Sequence, residues 1–600
     1  MTAIIGRDAE ARRHLLRVTA AFCAHAAVLM LVLAWMDPGL PWPPSTWRAS
    51  DIAYLTLNAV PALVLSLFLL ALTRRLILAS WLVLLVLWAL YAVNAAKLTH
   101  LQTPLLPSDF LVAVTSWPAI RLLSSYLRFD GLTWAALLAV VGITIALYKA
   151  AGDRVLRRRS QLALGIATCL LSISLVRGSA PWPWLYDGGR LGFQPWSVVE
   201  STQRVGLLGA LLLYQWEYRA RDVPPADTEA AANLLQAHAP ALAKRWAMGA
   251  VDELPDIVVV QSESFFDPSR LRGIPHGVPL KAFNELAKSA LAGNLRVPAF
   301  GGGTIRTEFE VLTGVPLDGL DGVQYPWLEL GKRDLFALPK LLARYGYRTL
   351  AVHPNAGAFW NRASTYPELG FEKFIDGAEF SDDSIHGLFT SDAALTDRIL
   401  AELDADERPQ FIFAVSMEAH GPFDWRPGLD ADRLSSQPVP EALDEGGRFW
   451  LRNYLYLNED ADRELGRLAA ALAQRSRRTL LLFYGDHLPA LPPVYAQLGF
   501  DDEAPPESQP VPWLLFDTAA RHPRRLDTHA WLLPSLLLEA AGLHDASYFS
   551  AMDVLREELD LDHAGDEAED RDGIIALARL ALTGRLDELL NEVAATADAG

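Results

Sequence analysis

Asp256-Ile257-Val258-Val259-Val260-Gln261-Ser262-Glu263 is an aliphatic, β-branched run that ends on a carboxylate. A strand apolar on both faces belongs inside a parallel sheet covered by helices. Thr479-Leu480-Leu481-Leu482-Phe483-Tyr484-Gly485-Asp486-His487 repeats the design and ends on an acid and an imidazole. Further strands are expected at Tyr347–His353, Gln410–Ser416 and Val511–Phe516, and helices at Leu338–Tyr345, Ser391–Leu403, Arg452–Ala473 and Thr528–Ala541. This alternation, which begins after Val223-Pro224-Pro225, predicts an α/β domain with a mainly parallel sheet and helices on both faces. In open sheets of this kind ligands bind at the strand C-termini, where Glu263, Asp486 and His487 fall.

Between the two quoted strands lies Phe300-Gly301-Gly302-Gly303-Thr304-Ile305-Arg306-Thr307-Glu308-Phe309-Glu310. Three glycines remove every Cβ from the approach, so the backbone can turn sharply and come close to a bulky anion. Thr304 is then the exposed hydroxyl, and Glu263, Thr304, Asp486 and His487 are expected to meet around one metal ion. A threonine hydroxyl is too weakly acidic to attack at neutral pH, but coordination to a dication lowers its pKa. Two carboxylates, an imidazole and an alkoxide suit zinc or manganese. Glu308 reads as a cap on a helix starting near Thr307.

The remaining composition divides the chain. Hydrophobic residues make up 51% of it, mean hydropathy is positive, and the apolar runs lie in the first third. Leu15–Trp35, Ile52–Thr73, Leu76–Leu98, Leu132–Lys149 and Gln161–Val176 give about five spans, each near the ~20 residues that cross a bilayer. Arginines gather at Arg7, Arg12, Arg13 and Arg17, at Arg74 and Arg75, and at Arg154, Arg157, Arg158 and Arg159. All three clusters fall on one side, which sets the N-terminus in the cytoplasm and the chain after Arg177 outside. The loop His100–Asp130 would then lie at the outer surface, and Val205–Tyr214 reads as an interfacial helix among headgroups. The first 180 residues carry 16 Lys and Arg against 7 Asp and Glu, and the rest carry 37 against 64. So acidic a soluble part argues against nucleic acid as a partner.

The expected domains are a transmembrane part (1–180), a linker with an amphipathic helix (181–250), a catalytic α/β domain (251–545) and an acidic helical tail (546–600), the last read as a solvated appendage. Both cysteines, Cys23 and Cys169, fall in expected spans, which excludes a disulfide framework in the soluble part.

Two more segments carry chemistry: His353-Pro354-Asn355-Ala356-Gly357-Ala358-Phe359-Trp360-Asn361-Arg362, and Ser416-Met417-Glu418-Ala419-His420-Gly421-Pro422-Phe423 after a strand. With Glu263, Thr304–Phe309 and Asp486–His487, they make the chain resemble the lipoteichoic acid synthase and phosphoglycerol transferase family, a membrane branch of the alkaline phosphatase and sulfatase superfamily. The resemblance implies an N-terminal α-helical transmembrane domain followed by an alkaline phosphatase/sulfatase-like α/β domain. It implies a divalent metal, Mn2+ before Zn2+ or Mg2+, on Glu263, Thr304, Asp486 and His487, with Thr304 as nucleophile. His420 would protonate the departing alkoxide or bind the phosphate. Arg362 would offer a planar fork to the phosphate and Trp360 a wall to the glycerol, with His353 and Asn355 in the same headgroup-binding segment. Asn355 stands where lipoteichoic acid synthases are expected to carry Asp, which alters the glycerol contact.

The implied reaction moves glycerol phosphate from phosphatidylglycerol to an extracytoplasmic glycan, such as a periplasmic glucan, or to a polyglycerophosphate chain, at the bacterial inner membrane. A phosphoethanolamine transferase is the nearest enzymatic rival, although those enzymes carry disulfides that this soluble part cannot form. An arylsulfatase fits less well, because no Cys/Ser-x-Pro-x-Arg element stands at Thr304-Ile305-Arg306-Thr307. A non-catalytic membrane sensor or scaffold is the rival of a different class.

Overall fold

The computed structural model describes the chain apart from residues 1, 38–39, 41–46, 48, 102–103, 108, 111–130, 151–157, 188–190, 192, 194–197, 218–222, 276–279, 321, 331–334, 358, 565–569 and 599–600. Most of the expected outer loop 100–130 and the arginines at 154 and 157 therefore lie outside the described residues. The chain separates into two compact units, one comprising Met1–Leu98, Thr103–Phe110 and Tyr126–Ala220, the other Thr99–Gln102, Leu111–Ser125 and Arg221–Gly600.

The first unit is helical. Helices α1 (Thr2–Met36), α2 (Ala49–Thr73), α3 (Leu76–Leu101), α4 (Gly131–Lys149) and α5 (Arg158–Val176) occupy the five apolar runs. Four of them contain stretches long and apolar enough to cross a membrane: Thr19–Met36, Asp51–Thr73, Leu76–Thr99 and Arg158–Val176. The described part of α4, Trp134–Lys149, is apolar but shorter. Large apolar side chains such as Leu31, Leu72, Trp88, Leu138 and Leu162 point outward, as expected where the surroundings are lipid rather than water.

Polar groups inside this unit are paired, because hydrocarbon offers them no other partner. The hydroxyls of Tyr54 and Tyr91 donate to the two oxygens of Asp37 at 2.6 and 2.8 Å. Asn58 donates to the Val205 carbonyl at 2.8 Å and accepts from the Gly209 N–H at 3.0 Å. The second pair ties down α6 (Leu207–Glu217), the helix expected at the interface, and Leu207, Ala210 and Tyr214 are buried there. At eleven residues α6 is about 16 Å long and cannot form a sixth span.

The second unit is built on one twisted sheet. Strands β1 (Asp256–Ser262), β2 (Leu291–Arg296), β3 (Arg348–Val352), β4 (Lys373–Ile375), β7 (Gln410–Val415), β8 (Thr479–Gly485), β9 (Val511–Asp517) and β10 (Arg524–Arg525) take the order β10-β2-β9-β8-β1-β7-β3-β4. A separate hairpin pairs β5 (Ile385–His386) with β6 (Phe389–Thr390). The run β8-β1-β7-β3-β4 is parallel, and β9 is antiparallel to both β8 and β2. Strands β1, β7 and β8 are buried along their whole length.

Side chains alternate across the sheet. Val258, Val260, Ile412, Ala414, Leu481 and Phe483 share a core with Leu395 and Ile399 of α10 (Asp392–Asp404) and with Leu465 and Leu468 of α11 (Glu445–Leu472). Helices α8 (Thr304–Thr313) and α12 (Leu533–Ala541) pack together, and α12 lies against β8. Register then places the site: Ser262 pairs with Gly485, so β1 and β8 end together and deliver Glu263 and Asp486 side by side.

The acidic tail is not the solvated appendage expected from its charge. Helix α13 (Arg571–Leu582) buries Ile574, Leu577 and Leu580 and packs on α7 (Thr228–Ala237). Most of this helix joins the core, and its one acid, Asp572, faces outward.

Gly485 fixes how closely the sheet approaches the next turn. A Cβ there would overlap the Phe265 carbonyl oxygen. Gly485→Ala is expected to cost about 2–3 kcal/mol by overpacking, read as a lower thermal unfolding midpoint of the detergent-solubilised chain. An unchanged midpoint would show that the gap tolerates a methyl group.

Candidate active site

Four of the predicted site residues converge at the C-terminal ends of β1 and β8. Glu263 follows β1, Asp486 and His487 follow β8, and Thr304 is the first residue of α8. Gly301, Gly302 and Gly303 all have positive φ, with Gly303 at 85° as the left-handed residue before the helix. Only glycine enters that conformation without strain, so the run is required to swing Thr304 toward the carboxylates. The Thr304 hydroxyl donates to Glu263 Oε2 at 3.3 Å. His487 Nε2 lies 3.5 Å from Glu263 Oε1 and 3.4 Å from Asp486 Oδ2.

The carboxylates and the imidazole are almost completely buried, and backbone and hydroxyl donors fix them from behind. The Glu263 N–H donates to Ser416 Oγ at 2.9 Å, the Ser264 N–H to Asp486 Oδ1 at 2.8 Å, and Ser264 Oγ to Glu263 Oε1 at 2.9 Å. His487 Nδ1 sits 2.9 Å from the Leu488 carbonyl. A carbonyl can only accept, so this nitrogen carries a proton, and in the neutral ring Nε2 then presents a lone pair. Asp486 Oδ2 and His487 Nε2 are buried and have no hydrogen-bond partner.

Burial, and then the charge of Glu263, push the Asp486 carboxyl up to about 7. Burial alone would lower the His487 imidazole, but Asp486 and Glu263 outweigh it and raise the group. Ligand atoms of Glu263, Asp486 and His487 lie within 4.8 Å of one another. Lone pairs aimed at one another in a dry interior fit a divalent cation, and two oxygens, one nitrogen and the threonine oxygen suit zinc or manganese.

A second group lies along the same edge of the sheet, past β7 and β3. His353 follows β3, is buried, and has Nδ1 3.2 Å from the Val415 carbonyl. Burial first, then the Arg362 charge, hold this imidazole well below its ordinary range, with His420 adding to the same effect. His353 is therefore neutral. His420 lies on the loop after β7, its carbonyl held by Arg426 Nη1 at 2.7 Å and its ring edge-on to Phe389 at 5.2 Å.

Arg362 begins α9 (Arg362–Glu368) and is 1% exposed. Most of its fork is committed: Nε and Nη2 donate to Glu308 Oε2 at 3.0 and 2.8 Å. Tyr366 Oη donates to Glu308 Oε1 at 2.8 Å, and the Trp327 indole N–H donates to the same oxygen. Arg362 Nη1 is buried without a partner. Glu308 is thus the anchor of a buried ion pair and not a helix cap, since α8 begins at Thr304 and Gly303 precedes it. One signal was legible in advance: an acid flanked by Phe309, Val311 and Leu312 on a buried helix needs a cationic partner.

Trp360 and Asn361 both adopt left-handed φ, 57° and 62°, a strained conformation for a bulky side chain. The Trp360 ring stacks on Tyr325 at 4.7 Å, a partner that sequence reading missed. Asn355 accepts from the Ala356 N–H through Oδ1 at 2.8 Å, while its Nδ2 is buried without a partner.

The sequence model of the family described as Sulfatase matches residues 255–555. A Rhizobium meliloti protein assigned to cyclic beta-1,2-glucan modification is 34% identical over 249 residues, 41% of this chain and 37% of that protein. The capsular polysaccharide biosynthesis protein RkpI of Rhizobium meliloti is 35% identical over 303 residues, 49% of this chain and 52% of that protein. The aligned segments thus span about half or less of these relatives' lengths. The structure of Streptococcus pyogenes phosphoglycerol transferase GacH with sn-glycerol-1-phosphate superposes with a TM-score of 0.50 at 21% identity, covering 61% of this chain and 97% of that one. At that identity the likeness is one of fold. With the match spanning half of its length, the chain belongs to the Sulfatase family.

Proposed function

We propose that this chain is a membrane-bound phosphoglycerol transferase that moves glycerol phosphate from phosphatidylglycerol to an extracytoplasmic glycan through a covalent Thr304 intermediate. The observation that carries the reading is the Thr304 hydroxyl at a helix N-terminus, 3.3 Å from Glu263 and beside unpaired lone pairs of Asp486 and His487. GacH supports the reaction type through its fold. The two relatives with printed roles in glucan modification and capsular polysaccharide synthesis favour a glycan over a polyglycerophosphate acceptor. Arginine clusters at the cytoplasmic ends of the spans support an inner-membrane protein with the catalytic domain on the periplasmic side.

Glu263, Asp486, His487 and Thr304 would hold a divalent cation, with Mn2+ the expected ion; when bound it supplies Lewis acidity to the threonine oxygen and offsets the lipid phosphate charge. The chain's own residues do the rest. The glycine run removes side chains from the path of the phosphate, and the N–H groups at the start of α8 face the incoming anion. Arg362 Nη1, already desolvated and lacking a partner, is free to donate to a phosphoryl oxygen. The Trp360–Tyr325 stack offers the glycerol an apolar wall, and Asn355 Nδ2 offers a donor where a carboxylate could only accept.

Thr304 Oγ1 passes its proton to Glu263 Oε2, to which it already donates, and forms the bond to phosphorus while the bond from phosphorus to the diacylglycerol oxygen breaks. His420 gives that oxygen a proton. In the second half the acceptor hydroxyl passes its proton to His420 and attacks phosphorus, and the bond to Thr304 breaks as the threonine oxygen takes its proton back from Glu263.

The purified chain, incubated with manganese and headgroup-labelled phosphatidylglycerol or phosphatidylethanolamine, tests this by mass spectrometry. A glycerophosphate mass on the Thr304 peptide from phosphatidylglycerol, absent in Thr304→Ala, is expected. An ethanolamine phosphate adduct would assign the rival lipid, and no adduct from either lipid would leave the transferase reading without support. Glu308→Gln, which leaves the buried Arg362 charge without its counterion, is expected to cost about 3–5 kcal/mol of stability, read from the urea unfolding midpoint. A midpoint close to wild type would mean that Glu308 does not hold Arg362 in solution.

A further inference from the structure

A second convergence of ligand atoms joins Glu418, two residues before His420, to His386 and Asp460. His386, on the β5–β6 hairpin, places Nδ1 2.6 Å from Glu418 Oε1 and 3.8 Å from Asp460 Oδ2. Ligand atoms of the three residues lie within 4.8 Å of one another. Glu418 and Asp460 are buried, whereas His386 is partly exposed and leaves a path from solvent.

The outer oxygens of both acids are taken. Glu418 Oε2 accepts from the Asp392 N–H at 2.6 Å. Asp460 Oδ1 lies 2.6 Å from Arg433 Nη1 and also pairs with Arg463. On the side of His386 stand Glu418 Oε1, hydrogen-bonded to the imidazole, and Asp460 Oδ2, which has no hydrogen-bond partner.

A further buried carboxylate lies beside Glu418. Asp392, the first residue of α10, is 6% exposed and its Oδ1 has no hydrogen-bond partner. The nearby arginines are shared elsewhere: Arg433 also pairs with Glu459, and Arg467 holds both Glu464 and Asp397. Arg426 donates to the carbonyl oxygens of His420 and Glu418. Buried oxygens of Asp460 and Asp392 thus lack hydrogen-bond partners close to the His386–Glu418 pair, a condition that a cation relieves.

We infer that His386, Glu418 and Asp460 form a second site for a divalent first-row transition ion such as Mn2+ or Zn2+, distinct from the cluster of Glu263, Asp486 and His487. One imidazole nitrogen and two carboxylate oxygens, with an open side toward water, form a donor set suited to those ions. Its role is positional. Arg426 bridges the carbonyls of Glu418 and His420, so an ion on Glu418 steadies the loop that carries His420.

The test is metal content of the full chain in detergent, stripped with chelator and then equilibrated with Mn2+ or Zn2+ alone. Wild type, D486N, and each of these with H386Q added are compared, with E418Q as a second variant and circular dichroism to confirm folding. The expected result is the loss of one equivalent of bound ion on adding H386Q to either background, and the same loss with E418Q. Two further readings decide against it: folded D486N that binds neither ion, or H386Q and E418Q chains whose metal content is unchanged in either background. Because the variants are read in both backgrounds, failure of the Asp486 site and failure of this one give different patterns.

Discussion

Lone pairs cannot be left pointing at one another in a dry interior unless a positive charge sits among them. Glu263, Asp486 and His487 are in that position, and the sheet leaves them no way out. Parallel pairing of β1 with β8, from Asp256 opposite Thr479 to Ser262 opposite Gly485, ends both strands on the same level. The Ser264 N–H then holds Asp486 Oδ1, the Leu488 carbonyl holds His487 Nδ1, and Ser416 holds the Glu263 backbone. The inward-facing atoms are held for something the chain does not itself supply.

A second buried charge sets the other half of the site. Arg362 and Glu308 neutralise each other in the core, with Tyr366 and Trp327 completing the carboxylate's hydrogen bonds. This pairing fixes the guanidinium and leaves one nitrogen unspent, the nitrogen that the proposed reaction assigns to the phosphate. Preorganised donors of this kind act on developing charge without reorganisation. Glu308 sits one turn of α8 beyond Thr304, so the helix that presents the hydroxyl also anchors the arginine.

Much of this was legible in the sequence, and the reasons are local. β1, β7 and β8 are buried on both faces, so their aliphatic runs announce themselves, and the acids that close β1 and β8 stand out against them. β2 was missed because Gly293 and Asn294 interrupt its apolar character, and it is held by antiparallel pairing to β9, which no local pattern encodes. β4 is three residues long and borrows its order from β3. The predicted final helix Ile574–Val593 breaks at Thr583-Gly584 into two. The roles of Glu308 and Tyr325 depend on residues 54 and 35 positions away, a distance that periodicity does not span. Thr304-Ile305-Arg306-Thr307 lacks the Cys/Ser-x-Pro-x-Arg element that makes a formylglycine, so an arylsulfatase fits these residues less well than a transferase, although the fold is shared.

The most direct measurement is anomalous diffraction at the manganese edge from crystals of the chain grown with Mn2+. The expected result is a peak bonded at about 2.0–2.3 Å to Glu263, Asp486, His487 and the Thr304 oxygen. Well-ordered density for those four side chains with no anomalous peak among them would contradict the central claim.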